Sequence, residues 1–363
     1  LGDLSKKERR GKMKKMEKME KKKYVKPEVI IIPVDFKQLV KNTSGGGCPF
    51  VFVWNGREYL KENNILPLCE DLLRNEEVNE EVVEDFYVLQ NEPCLESGFI
   101  RLKIEEFERE ISWINNFKLF AVEHPGDTYV GVDQKNGLQV FGSPRSVLGC
   151  RDQDGGDRLL EVSNSDWYNP AAYFQAERGD SLTIEFPRIS NRQAERCLLV
   201  VVDPSHSLVC GCVEKEGSIH IKIGTKTVAV LHGRENFYPE VADLTEWLEI
   251  LRKQDRISLR LEFTAHHSIS FIGLDVSEPI LFQKKECVLT QASHSLLRDV
   301  TTILRQDNTS VRLYPGESIE LKFSPPELPK TGNKVSYILY SKGFYIPTTK
   351  IFSLAKAREA VFA

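Results

Sequence analysis

The sequence predicts a mainly β protein: two or three β-sandwich-like units, a few short helices and a basic N-terminal tail. Three observations lead there. Apolar and polar residues alternate over short stretches, as at Ile100, Leu102 and Ile104 against Arg101, Lys103 and Glu105, the pattern of half-buried strands. Turn signals recur between these stretches, among them Asn55-Gly56, Pro125-Gly126-Asp127 and Asn136-Gly137. No strand is followed by a helix and a second strand in the βαβ order that a doubly wound nucleotide fold requires.

At 363 residues, of which 41% are hydrophobic and 28% charged, the chain is long enough for two or three domains with substantial cores. Residues 1–26 carry twelve Lys/Arg against four Asp/Glu, a net +8. With the whole chain at −4, this leaves −12 for the remainder. The tail reads as helical or disordered. The acidic body argues against broad nucleic-acid contact, and any polyanion binding would fall to the tail. No apolar run is long enough to cross a bilayer as a helix, and no secretory leader pattern is visible.

The body opens near Pro27. Glu28–Val34 is rich in β-branched residues and reads as a strand. Ser44-Gly-Gly-Gly47 reads as a flexible loop. Phe50, Phe52 and Trp54 alternate with Val51 and Val53, and Asn55-Gly56 turns the chain back into Arg57–Leu60. Residues 70–85 are acidic and loop-like. Residues 98–122 supply two strands. Tyr129–Asp133 and Leu138–Phe141 flank the turn at 135–137 and continue a meander. Short helices are expected at Val241–Leu251, where Leu244, Trp247, Leu248 and Leu251 share a face, and at Ser293–Leu304. Arg256–Phe263 and Ile269–Leu274 read as strands.

Arg178-Gly-Asp-Ser-Leu-Thr-Ile-Glu-Phe-Pro187 matches Pro315-Gly-Glu-Ser-Ile-Glu-Leu-Lys-Phe-Ser324 in pattern. Apolar strands follow each, at Leu198–Val202 and Tyr337–Tyr340. The separation is domain-sized, so two related β-units are expected. The expected boundaries are 27–150, 151–290 and 291–363.

Several phrases resemble an uncharacterised group of prokaryotic β-rich proteins. They include Cys48–Gly56, Asn63–Leu66, Phe117–Pro125, Arg234–Asn236 with Asp243-Leu244, Phe263–His266, Phe271–Asp275 and Leu313–Glu317. They are similar to modules that accompany FG-GAP (VCBS) propeller repeats, ASPIC/UnbV-type segments or tetratricopeptide repeats. The resemblance implies a β-rich interaction protein and favours a secreted or cell-surface location. It brings no established activity.

Candidate chemistry is sparse. Asp152, Asp154 and Asp157 alternate around Gly155-Gly156, with Glu161 beyond. Such a loop can wrap carboxylate oxygens around Ca²⁺, and it can equally be a solvated hairpin turn. His232, Arg234, Glu235 and Asn236 combine groups that bind polar ligands, or that form a structural network. Trp167 and Tyr168, in a polar turn-rich stretch, can stack on sugar rings if exposed, or serve the core. His266 and His267 should point to opposite faces of a strand, which disfavours shared metal binding. Ser205-His206 follows Asp203-Pro204, but a triad is assembled in space and not along four residues. No nucleophile elbow or phosphate-binding loop follows a strand. The eight cysteines, 48, 69, 94, 150, 197, 210, 212 and 287, lack paired zinc-type spacing, and buried free thiols are expected ahead of disulfides.

The expected function is a non-enzymatic binding or structural module, directed at a glycan or a protein. The alternatives are a carbohydrate-active or other hydrolase with a carboxylate pair, and a polyanion binder acting through the tail. No cofactor is expected beyond a candidate Ca²⁺.

Overall fold

The computed structural model describes residues 49–66, 84–164, 166–167, 171–190, 194–203, 218–232, 239–306, 309–327 and 332–348. All lie within one compact unit, Asn42–Ala363. The expected tail and the strand at 28–34 fall outside them. The architecture is mainly β, as the alternation predicted.

The chain enters through β1 (Phe50–Trp54) and β2 (Tyr59–Asn64). Gly56 takes φ +96° at their turn, and the Asn55 side chain accepts the N–H groups of Arg57 and Glu58, each at 2.9 Å. β3 (Glu84–Val88), β4 (Leu95–Glu96), β5 (Phe99–Glu105) and the long β6 (Glu110–His124) follow. In β5, Ile100, Leu102 and Ile104 are fully buried, so the alternation read from sequence marks the inward face.

From Pro125 the chain leaves this sheet and builds a second unit. β7 (Tyr129–Asp133) and β8 (Leu138–Phe141) form the expected hairpin. β9 (Arg145–Ser146), β10 (Gly149–Asp152), β11 (Phe174–Ala176), β12 (Ser181–Pro187) and β13 (Leu198–Val202) come next. Then come β14 (Ser218–Ile223), β15 (Lys226–His232), β16 (Pro239–Asp243), β17 (Arg256–Phe263), β18 (His267–Ile269) and β19 (Phe271–Asp275). One sheet runs β10-β12-β17-β14-β15 and the other β8-β7-β16-β13-β19-β9. Their inner faces share one core, with Leu182, Ile184 and Phe186 from the first and Leu199, Val201 and Leu274 from the second. β13 is buried at all five positions because its outer face is also covered, by Trp167 packed among Phe141 and Phe271 of the same sheet. A sheet covered on both sides gives a continuous apolar run.

The chain then returns to the first unit. β20 (Gln283–His294) pairs with β6 through Gln283↔Glu123 to Cys287↔Leu119. β21 (Arg298–Asp299), β22 (Val311–Leu313), β23 (Ser318–Ser324) and β24 (Lys334–Pro347) complete it. β24 pairs with β6 along its whole length, from Lys334↔His124 to Pro347↔Glu110. β23 pairs with β5. The resulting sheet, β2-β1-β5-β23-β20-β6-β24-β3, is antiparallel. It curls so that Val51, Leu102 and Leu321 share a core with Leu119, Leu339 and Tyr345. The segments before Pro125 and after Phe282 therefore meet in one sheet, and the second unit is an insertion between β6 and β20. A separate cluster joins the two units: Val88, Val122 and Ile338 from the outer face of the first, and Val130 and Val140 from the second.

The repeated Gly-acid-Ser pattern has a physical meaning. Gly179 and Gly316 take φ +97° and +84°. The following carboxylates, Asp180 and Glu317, accept the N–H of the residue three positions back, Glu177 and Tyr314, at 2.8 and 2.9 Å. Each turn launches a strand, β12 or β23, and the chain then crosses to the facing layer as β13 or β24. The expected helices are shorter than predicted. Val241–Asp243 belongs to β16, leaving a 3₁₀ turn at Thr245–Trp247 and a helix at Leu248–Leu251. Ser293 and His294 pair with Glu320 and Ile319, so the second helix is confined to Thr301–Arg305. In both cases inter-strand pairing overrides helical spacing.

Candidate functional site

Where the two units meet they leave a cleft of about 570 Å³. Its first-unit wall is the 88–93 loop and the start of β24. Its second-unit wall is the start of β7 with Trp167 and Pro239. Glu62 fixes the loop. One carboxylate oxygen accepts the Tyr87 hydroxyl and the Gln90 N–H, each at 2.8 Å. The other accepts the Asn91 N–H at 2.7 Å and its side-chain amide at 2.8 Å. A charged acceptor saturated by four donors makes a rigid wall.

The opposite wall is aromatic. Tyr129 is 42% exposed and lies 4.7 Å, centroid to centroid, from Trp167, which in turn lies 5.1 Å from Phe271. Trp167 itself is only 9% exposed. The tryptophan singled out in the sequence thus lines the cleft mainly as backing, and Tyr129 is the ring offered to solvent. The side chains of Gln90, Glu92 and Lys334, all exposed and lining the cleft, carry no hydrogen bond or ion pair to another described residue.

His124, where the chain leaves the first unit, ties the floor together. The Thr128 hydroxyl donates to the Pro125 carbonyl at 2.7 Å and accepts from His124 Nδ1 at 2.8 Å. His124 Nε2 then accepts the Ser336 hydroxyl at 2.9 Å. Burial holds the imidazole below the usual histidine range, favouring this neutral form.

The Asp/Gly loop is a hairpin turn. Asp152 Oδ1 accepts the N–H of Asp154 at 3.0 Å and of Gly156 at 2.7 Å, and Oδ2 accepts Arg158 Nε at 2.8 Å. The Arg158 hydrogen bond is the main reason the Asp152 carboxyl is held below its usual range. Asp157 accepts the Leu159 N–H at 3.1 Å, and Glu161 lies 3.4 Å from Arg158. Among the described residues no group of three His, Cys, Asp or Glu side chains is placed to hold a metal ion. The expected Ca²⁺ ligands Asp152, Asp154 and Asp157 therefore do not converge. An arginine, absent from the sequence argument, takes the negative charge of Asp152.

Arg234, Glu235, Asn236 and Tyr168 lie outside the described residues, as does the side chain of His232. His266 and His267 point apart as expected. His266 meets Glu177 at the surface, and His267 is fully buried with Nδ1 2.5 Å from Asp203. Among the described cysteines, Cys94, Cys150, Cys197 and Cys287 are free, and the last three are buried. No described helix is long and apolar enough to cross a membrane.

The sequence did not point to Tyr129, Gln90 or Lys334. They are far apart in the chain: pairing of β3 with β24 brings Gln90 and Lys334 to one wall, and the insertion between β6 and β20 brings Tyr129 to the other. Comparison with family models, curated proteins and solved structures finds no match.

Proposed function

We propose that this chain is a non-enzymatic binding module whose ligand, a glycan, occupies the cleft between the two β-units. The observation that carries the reading is the Tyr129 ring, exposed in a concave site and backed by Trp167, with Gln90, Glu92 and Lys334 uncommitted around it. A sugar presents a C–H face to an aromatic ring and hydroxyls to polar side chains, and binding clefts combine these two features. The alternative of a hydrolase needs two carboxyl groups facing each other across the cleft. Among the described residues that line it, Glu92 is the carboxylate present. The resemblance seen in the sequence, which implies an interaction protein, agrees with this reading.

The test is thermal unfolding and ligand-observed NMR of the full chain against neutral, uronic and amino oligosaccharides. A ligand selective for the native state raises the midpoint. At least one class should do so, and Tyr129→Ala should abolish the shift, measured against the variant's own unliganded midpoint, which falls because Tyr129 packs on Trp167 and Phe141. Absence of a shift or NMR signal with all three classes overturns the proposal. So does a shift that survives Tyr129→Ala.

A further inference from the structure

A buried carboxylate stands behind one wall of the cleft. In β6, Glu123 lies opposite Val335 of β24, and His124 lies opposite Lys334. Successive strand residues face opposite ways, so Glu123 shares a sheet face with Val335, and Lys334 leaves on the other. Glu123 is only 6% exposed. One carboxylate oxygen accepts Asn333 Nδ2 at 2.7 Å, and the other is buried without a hydrogen-bond partner. Among the described residues it has no ion pair. Gln283 of β20 pairs with Glu123, which puts Lys285 on the same face, but that ammonium donates to the Glu327 carbonyl at 3.1 Å. A buried carboxylate without a cation is costly, and a ligand that supplies one relieves the cost.

Asn333 connects this charge to the cleft, which it lines. Its amide nitrogen donates to Glu123, so its carbonyl oxygen is the end left for a ligand, and that end accepts a donor.

The surrounding charges have the same sense. Glu92 lines the cleft from the 88–93 loop. Glu62 adds a carboxylate behind that loop, and Asp127 is exposed in the turn before Thr128. Against these and Glu123, the described lining holds a single ammonium, Lys334. The Tyr129 ring, backed by Trp167, presents a face whose quadrupole attracts cations.

We propose that the ligand is an amino glycan, its protonated amine held by Glu92 and the Asn333 carbonyl beside the Tyr129 ring. Glu123 acts through Asn333 and is a positioning residue. The amine assignment rests on the glycan reading of the cleft and narrows it.

The test is calorimetric titration of the full chain at about pH 6, where amines are protonated. The probes are a chitosan oligosaccharide, the N-acetylated chitin oligosaccharide of the same length, and a uronic oligosaccharide. The chitosan oligosaccharide should bind about tenfold or more tightly than the other two, and the difference should shrink as salt is raised. Glu92→Gln should reduce that preference about tenfold. Glu123→Gln keeps an acceptor for Asn333 and removes the charge. It should reduce the preference about threefold or more, with an unliganded melting midpoint no lower than the parent's. A merely structural role would lower the midpoint and leave the preference alone. Equal or tighter binding of the N-acetylated or uronic probe overturns the amine assignment and leaves the glycan reading standing, as does a preference unchanged by Glu92→Gln. Tighter binding of an oligolysine peptide than of the chitosan oligosaccharide moves the amine from a sugar to a protein and overturns both. If no oligosaccharide binds, the glycan reading fails and the amine assignment with it.

Discussion

Glu106 gives the sharpest test of the fold's electrostatics. It is fully buried just after β5. One carboxyl oxygen accepts the Ser112 hydroxyl at 2.7 Å, and the other accepts the Glu108 N–H at 3.1 Å. Two hydrogen bonds do not replace the hydration of a charged carboxylate. Burial consequently pushes the group up from 4.5 to about 8. The native state therefore holds its proton through a range where the unfolded chain has released it. Stability from this group is full below about pH 4.5, falls as pH rises, and is lost above about pH 8, at a slope of about 1.4 kcal/mol per pH unit. The full span corresponds to about 5 kcal/mol, a ceiling because the chain can relax around the charge. Glu106→Gln keeps the shape and an acceptor for Ser112 but cannot ionise. Urea unfolding of both proteins from pH 5 to 9 measures the difference. The variant's side-chain nitrogen cannot accept the Glu108 N–H, so the variant should fall about 1 kcal/mol below the parent near pH 5 and exceed it by several kcal/mol at pH 9, with equal m-values. Parallel stability curves would refute the reasoning.

Three further outcomes are expected. Arg196 is buried with its guanidinium 2.8 Å from Asp275 and 3.0 Å from Ser277 Oγ. Arg196→Met should cost about 3–5 kcal/mol in chemical unfolding because Asp275 is left charged and unpaired, whereas Arg196→Met with Asp275→Leu should recover much of that loss. Burial pushes the thiols of Cys150, Cys197 and Cys287 up to about 12. Mass mapping after iodoacetamide at pH 8 should find all three unmodified in the native protein and modified in denaturant. Ca²⁺ or EDTA should leave the melting midpoint unmoved, since Asp152 is committed to Arg158; a Ca²⁺-dependent rise abolished by Asp154→Ala would reverse the assignment of that loop as a plain turn.

What was legible in the sequence was what local chemistry decides. The alternation in β5 and the Asn55-Gly56 hairpin depend on residues within a few positions of one another, and each is found as read; the Gly-acid-Ser repeat, which the sequence offers as the mark of two related units, is in structure a shared turn ahead of β12 and β23. The two helices were overextended because 3.6-residue spacing cannot register that Val241 pairs with Val200, or His294 with Ile319. The cleft was less legible still. Trp167 was noticed for its polar surroundings, yet its neighbours Tyr129 and Phe271 bury most of it. The spacing of Asp152, Asp154 and Asp157 carries no sign that the Arg158 guanidinium pairs with the first of them.

The deeper reason lies in β6. Its first half alternates between buried and half-buried positions, as a strand with one wet face should, but Ala121–His124 are all buried. The alternation stops where the second unit packs on the outer face, at Val122. It stops next to Pro125, where the insertion begins, and Glu123 pairs with Gln283, where the chain returns. A strand that changes from one dry face to two thus marks, within one element, the place where another unit must cover it. That covering builds the cleft: His124 anchors Thr128 on one side and Ser336 on the other, so a rigid floor and two walls follow from how the insertion is attached.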